Sequence, residues 1–111
     1  MLNLENHLKT LIGIPSITPN DEGCLVYIQS VLEDLGFQCT SLPKNKVSNL
    51  YAEYGTHGPL LVFAGHTDVV EPGDLSQWDT PPFELNQRQG KYFGRGIADM
   101  KGAIAAMLTA V

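Results

Sequence analysis

Leu60-Leu61-Val62-Phe63-Ala64-Gly65-His66-Thr67-Asp68 is the stretch on which the reading of this 111-residue chain turns. Five apolar residues in a row show no alternation, and so short a run predicts a strand buried on both faces, as inside α/β sheets. Gly65 ends it, which puts His66 and Asp68 just past its carboxyl end. Open α/β sheets place their ligands at that edge. A second polar constellation follows at Gly94-Arg95-Gly96-Ile97-Ala98-Asp99-Met100-Lys101-Gly102. The expectation is that His66, Asp68 and Asp99 converge and that the rest of the chain holds them together.

On the N-terminal side, Leu4, Leu8, Leu11 and Ile12 fall on one face of a first helix, stopped by Pro15. Thr18-Pro19-Asn20-Asp21 offers a threonine cap, a proline at the first helical position and an acid at the third, announcing a second helix. Its apolar face is Leu25, Ile28, Leu32 and Leu35, with Gly36 as a left-handed stop. Phe37 to Leu42 and Val47 to Tyr54 are strand candidates, the latter with Leu50, Ala52 and Tyr54 on one side. Gly55-Thr56-His57-Gly58-Pro59 is turn chemistry that feeds the apolar run.

On the C-terminal side, the loop from Val69 to Pro82 is long enough to suggest function, with Trp78 near its end. Phe83 to Arg88 and Lys91 to Phe93 predict a hairpin across Gln89-Gly90. A third helix runs from Met100, with Ile104, Met107, Leu108 and Val111 as its buried stripe. The resulting order, α-α-β-β-β-ββ-α, predicts an α/β fold, a partial α/β/α sandwich with helices packed on a mixed central sheet. The chain reaches Val111 inside an apolar helical pattern without a stop signal, so it is expected to be part of a longer polypeptide.

Composition narrows the function classes. A hydrophobic share of 43% and a charged share of 17% are those of a globular protein. A net charge of −5 argues against nucleic acid or an anionic membrane as partner, because both call for a basic face. No apolar run is long enough to span a bilayer, and MLNLENHLKT lacks the pattern of a secretory signal. Cys24 and Cys39 lack C-x-x-C spacing and read as buried thiols of a reducing, cytoplasmic protein rather than as a disulfide.

Imidazole is the commonest metal ligand, and its second ring nitrogen is usually held by a carboxylate or carbonyl. Asp68, two residues along an extended segment, points to the same side as His66 and can supply that hold. By spacing alone, His66 reads more readily as a hydrogen-bonded structural histidine; its place at the end of a buried strand puts the metal-ligand reading on an equal footing. Asp99 reads as the N-cap of the third helix, with its outward oxygen free for a metal. Gly94, Gly96 and Gly102 allow close backbone approach. Arg95 and Lys101 either touch a substrate or balance Asp99, the structural role being favoured. Trp78, Pro81, Pro82 and Phe83 read as a packed loop anchor, and His7 and His57 as solvated. Rival chemistries lack their motifs. There is no G-x-S-x-G elbow, no H-E-x-x-H and no zinc ribbon, and the half-fingerprint at Gly94 carries Asp99 where a dinucleotide site needs its third glycine.

GHTDVV (Gly65 to Val70), PGD (Pro72 to Asp74), WDTPPF (Trp78 to Phe83), GRGIADMKG (Gly94 to Gly102) and the early IPSITPNDEGC (Ile14 to Cys24) together resemble the dinuclear zinc aminoacylase/carboxypeptidase family. The resemblance implies a zinc-exopeptidase-like fold, with residues 1–111 as the N-terminal segment of the catalytic domain and a lid and dimerisation domain elsewhere. It implies that His66 ligates one zinc and that Asp99 bridges two. Asp68, the catalytic-machinery residue, orients His66, and Asp99-Met100 is a candidate cis peptide. Two Zn2+ are the implied cofactors, with Co2+ as an alternative. The activity implied is metal-dependent amide hydrolysis of a small-molecule substrate, N-succinyl-LL-2,6-diaminopimelate, in lysine and diaminopimelate biosynthesis by a cytoplasmic homodimer. Acetylornithine deacetylation, aminoacylase or peptidase activity within the family, and a non-catalytic binding module, are the alternatives. Glu71 departs from the proline usual among those relatives. The general base and the remaining ligands are expected beyond Val111. The 111-residue chain alone is therefore expected to be inactive, to bind zinc weakly if at all, and to self-associate through uncovered apolar surface.

Overall fold

In the computed structural model, which describes residues 3–111, the apolar spacing of the N-terminal segment forms helix α1, Leu4–Ile12. Met1 and Leu2, part of the N-terminal stretch read above as no signal, lie outside the described residues. The Asn3 side chain accepts from Asn6 N at 3.0 Å and caps α1. Leu8, Leu11 and Ile12 are buried as expected. His7 corrects the reading. It is only 2% exposed, and its Nδ1 lies 2.8 Å from Tyr27 Oη. Tyr27 of the second helix brings the phenol that pairs with the imidazole; burial pulls the His7 pKa below its ordinary value.

Helix α2 spans Cys24–Asp34, starting later than the Thr18-Pro19 signal suggests. Gly23 is the N-cap residue, and the Asp21 carboxylate before it accepts from Gly23 N at 3.1 Å and Leu25 N at 3.2 Å. Thr18 is engaged elsewhere. Cys24 and Ile28 carry the buried face, Leu25 and Leu32 are half-buried, and Leu35 is exposed. Gly36 takes a positive φ of 92° after the helix, as its stop role requires.

Strands β1 (Gln38–Ser41) and β2 (Leu50–Glu53) pair antiparallel, Gln38 opposite Glu53 and Ser41 opposite Leu50. Leu50 and Ala52 are half-buried while Tyr51 and Glu53 are exposed, the expected alternation; Tyr54 beyond them is exposed. Strands β3 (Asn86–Arg88) and β4 (Lys91–Phe93) form the expected hairpin. Its turn residues Gln89 and Gly90 both have positive φ, the geometry of a two-residue hairpin loop.

The apolar run does not form the expected strand. Residues 60–64 have no regular secondary structure, and Leu60, Leu61 and Val62 are 88%, 78% and 68% exposed. A strand buried on both faces needs neighbours on both edges and a layer on each face. Among the described residues, no backbone hydrogen bond reaches 60–64. Just past the run, Gly65 stands close enough to Met100 and Ile104 that a Cβ there would meet both.

Helix α3, Gly102–Ala110, completes the fold with Ile104, Ala105 and Leu108 buried. Met107 is half-buried and Val111 exposed, so the expected stripe is narrower than its pattern. Leu8 and Leu11 of α1, Cys24 and Ile28 of α2, and Ile104, Ala105 and Leu108 of α3 make one core. Burying a leucine or isoleucine contributes about 1.5–3 kcal/mol, so this three-helix contact, rather than the two small hairpins, carries the fold. The architecture is mixed α/β, with helices and two-stranded antiparallel sheets. Cys24 and Cys39 are free thiols. No helix among the described residues is long and apolar enough to cross a membrane.

Candidate functional site

The segment after Gly65 is held by the connection between α1 and α2. Val69 N donates to Ser16 O at 2.9 Å and Thr18 N to Val69 O at 3.0 Å, a parallel bridge between Ile17 and Val69. The opposite wall is Ile97–Lys101, a wide helical turn entered through Gly96. Gly96 has a φ of 87°, and a Cβ there would stand 2.6 Å from Val69 Cγ1. Only glycine allows this approach of the two walls. Asp99 (φ −135°, ψ 89°) is not helical, and α3 begins at Gly102, so Asp99 is not the N-cap the sequence suggested. The Asp99-Met100 peptide is cis, as the resemblance implied.

The two walls bring His66, Asp68 and Asp99 together. His66 Nε2 lies 3.0 Å from Asp99 Oδ1. On the other side of the ring, Nδ1 is 3.2 Å from Asp68 Oδ1 and 3.1 Å from the Asp68 carbonyl. Partial burial pulls the His66 pKa down, but hydrogen bonds to the Asp68 carbonyl and the Asp99 carboxylate, with the charges of both acids, outweigh it and raise it. The Thr18 hydroxyl, first, and then the imidazole hold the Asp68 carboxyl below its ordinary value against the opposing effect of burial. The three residues face a solvent-open cleft of about 320 Å³, which Arg95 and Gly96 also line.

The donor chemistry fits part of a divalent-metal site. Asp68 backs the imidazole on Nδ1, leaving Nε2 beside a carboxylate oxygen, the arrangement a metal-binding histidine requires. A cation held by His66 Nε2 and Asp99 would replace the Nε2 proton. A catalytic zinc takes about three protein ligands, and these are two. Among the described residues, no group of three or more His, Cys, Asp or Glu could hold a metal ion.

Arg95 and Lys101 separate from this centre. The Arg95 guanidinium lies over the Trp78 ring, 5.0 Å from its centroid, and donates to Glu71 O at 3.4 Å. Trp78 Nε1 donates to Pro72 O at 2.9 Å, so Trp78 is the loop anchor expected. Lys101 is fully buried and points away from Asp99, with Nζ donating to Leu11 O at 2.7 Å and Ile14 O at 2.6 Å. Burial pulls its pKa below the ordinary lysine value. His57 is exposed in its turn. Two site residues escaped the sequence reading, Ser16 and Thr18. The hydroxyls of the I-P-S-I-T-P segment were the available signal, but Thr18 reads as a helix cap.

Residues 62–111 match the model of peptidase family M20/M25/M40. Over 97% of its length, the chain is 56% identical to the succinyl-diaminopimelate desuccinylase of Legionella pneumophila (strain Paris), of which it covers 29%. Over 95% it is 51% identical to the protein of the same name from Coxiella burnetii (strain Dugway 5J108-111), of which it covers 28%. The crystal structure of human carnosine dipeptidase 1 superposes on 96% of the chain with a TM-score of 0.85 at 28% identity, and 27% of that protein is covered. The chain thus spans less than a third of the length of each of these relatives. The segment that carries His66, Asp68 and Asp99 is the one that matches the model of peptidase family M20/M25/M40, and the similarity to the desuccinylases extends over nearly the whole chain.

Proposed function

We propose that the full-length protein is a metal-dependent amide hydrolase that cleaves N-succinyl-LL-2,6-diaminopimelate to succinate and LL-2,6-diaminopimelate, a step of lysine and diaminopimelate biosynthesis. The observation that carries this is the placement of His66 Nε2 at 3.0 Å from Asp99 Oδ1, within a sequence so similar to the desuccinylases. In this reading His66 and Asp99 hold metal, and Asp68 orients His66. A bound zinc pair would act as a Lewis acid on the scissile carbonyl and lower the pKa of the attacking water. Residues outside this chain supply the other ligands and the general base. Zinc, with cobalt as an alternative, a cytoplasmic location, a homodimer and a completed α/β/α sandwich belong to the same reading. The family resemblance of the GHTDVV and GRGIADMKG segments supports them.

The test is a hydrolysis assay of the metal-loaded full-length protein on N-succinyl-LL-2,6-diaminopimelate and on N-acetylornithine. A site built to pair a carboxylate rejects an analogue lacking it strongly, so kcat/KM is expected to favour the succinyl substrate by at least about a hundredfold. Preference for the acetyl compound would remove the desuccinylase assignment and leave the family. The 111-residue polypeptide alone, with two ligands for a metal that takes about three, is expected to hydrolyse neither. Calorimetry is expected to show no tight, stoichiometric zinc binding by it; such binding, lost in His66→Ala, would overturn that expectation.

A further inference from the structure

The Ser16–Thr18 segment does more than connect α1 to α2. It runs parallel to residues 67–69, and the two backbone bonds between Ser16, Thr18 and Val69 are, among the described residues, the backbone pairs that hold the His66–Val70 segment. Side chains add to them. Ser16 is fully buried and its Oγ donates to Thr67 O at 2.7 Å. Thr67 Oγ1 reaches Asp21 Oδ1 at 3.5 Å. Thr18 Oγ1 donates to Asp68 Oδ2 at 2.5 Å, while the other oxygen of that carboxylate faces His66 Nδ1.

A carboxylate turns easily about its last torsion, which is broad and roughly two-fold. Asp68 is half-exposed, so packing alone does not hold it. The backbone bonds to Val69 place the Thr18 hydroxyl, and the hydroxyl in turn holds Oδ2, so Oδ1 stays toward the imidazole. The geometry points to Thr18 as a positioning residue of the metal centre: its hydroxyl pins Asp68, and Asp68 thereby holds His66 with Nε2 turned toward Asp99. This inference rests on the reading of His66 as a metal ligand.

The size of the effect follows from what remains without the hydroxyl. The Asp68 carbonyl still faces Nδ1 at 3.1 Å, so the ring keeps one partner. The loss is therefore smaller than the 10–100-fold typical of removing a ligand's own hydrogen-bond partner, about three- to tenfold in zinc affinity. The experiment uses the full-length protein and measures zinc affinity by competition with a chromogenic chelator, together with kcat and KM. Thr18→Val is expected to weaken zinc by that factor and to lower kcat comparably, with KM moving less than about twofold. Thr18→Ser, which keeps the hydroxyl, is expected to stay within about twofold of the wild type. In an Asp68→Ala background, Thr18→Val should have no further effect, because its action runs through Asp68.

Wild-type zinc affinity in Thr18→Val, equal loss in Thr18→Ser, or full additivity with Asp68→Ala would each overturn the inference. Should Thr18→Val not fold, Thr18→Ala gives the same comparison. Failure of both to fold beside a normal Thr18→Ser would assign the hydroxyl to folding and overturn the positioning role. His66→Ala keeps the two claims apart. Unchanged zinc affinity in that variant would sink the metal reading itself, whereas zinc lost there but kept in Thr18→Val would sink only the role of Thr18.

Discussion

Full-length protein carrying Asp99→Ala is expected to lose at least about a thousandfold in kcat/KM on N-succinyl-LL-2,6-diaminopimelate, about 4 kcal/mol of transition-state stabilisation. Its stability should stay within about 0.5 kcal/mol of the wild type. The contrast follows from where the side chain stands. It is 87% exposed and, among the described residues, hydrogen-bonds only with His66 Nε2. So exposed a carboxylate contributes little to folding, whereas the metal-ligating role proposed for it bears directly on activity. Stability must be compared after chelator treatment, because a metal bound to the native state alone would itself raise the midpoint. Asp99→Asn keeps one donor oxygen but loses the charge, and should fall between alanine and wild type. Activity within tenfold of wild type in Asp99→Ala would remove Asp99 from the metal centre. A loss of activity matched by a loss of stability would make it a fold residue.

The sequence disclosed what local pattern controls. The i, i+4, i+7 spacing of Leu4, Leu8 and Leu11 became α1, and Gln89-Gly90 became a hairpin turn because two consecutive residues can take positive φ there. His66, Asp68 and Asp99 were legible because a glycine just precedes His66 and another just precedes the Asp99 turn, marking where backbone must come close. What stayed hidden depends on partners distant in the chain. Leu60–Ala64 was read as apolar, correctly, but a strand exists only with neighbours, and no pairing reaches it among the described residues. His7 is buried with Tyr27, twenty positions away, against its ring, which no helical wheel of α1 alone discloses. Thr18 carries an N-cap signature, yet its hydroxyl is spent on Asp68, fifty positions on. Lys101 stands two positions from Asp99 in sequence and was weighed against it, although its partners are carbonyls at the end of α1.

Those carbonyls make Lys101 the opposite case to Asp99. Lys101→Ala is expected to destabilise the fold by about 4 kcal/mol, within the range for truncating a long buried side chain. Two effects add and one subtracts. The side-chain stem leaves a void beside α1, and two charge-assisted hydrogen bonds, to Leu11 O and Ile14 O, are lost. Against this, the protein no longer keeps an ammonium group away from water. The carbonyls are not orphaned, because Leu11 O still accepts from Ile14 N at 3.3 Å and Ile14 O from Ser16 N at 2.9 Å. Lys101→Met, which fills most of the space but removes the charge and its two hydrogen bonds, should therefore cost less, about 1–2 kcal/mol. The order wild type, methionine, alanine in urea midpoints would place the ammonium among the contributors to stability; methionine equal to or above wild type would show that desolvation cancels its hydrogen bonds. The consequence reaches the proposed metal centre, because the bonds from Nζ tie the Ile97–Lys101 turn to the end of α1, and Asp99 rides on that turn. Zinc affinity of the full-length protein should fall in the same order as stability, and an unchanged affinity in a destabilised but folded Lys101→Ala would show that the turn holds Asp99 without its anchor.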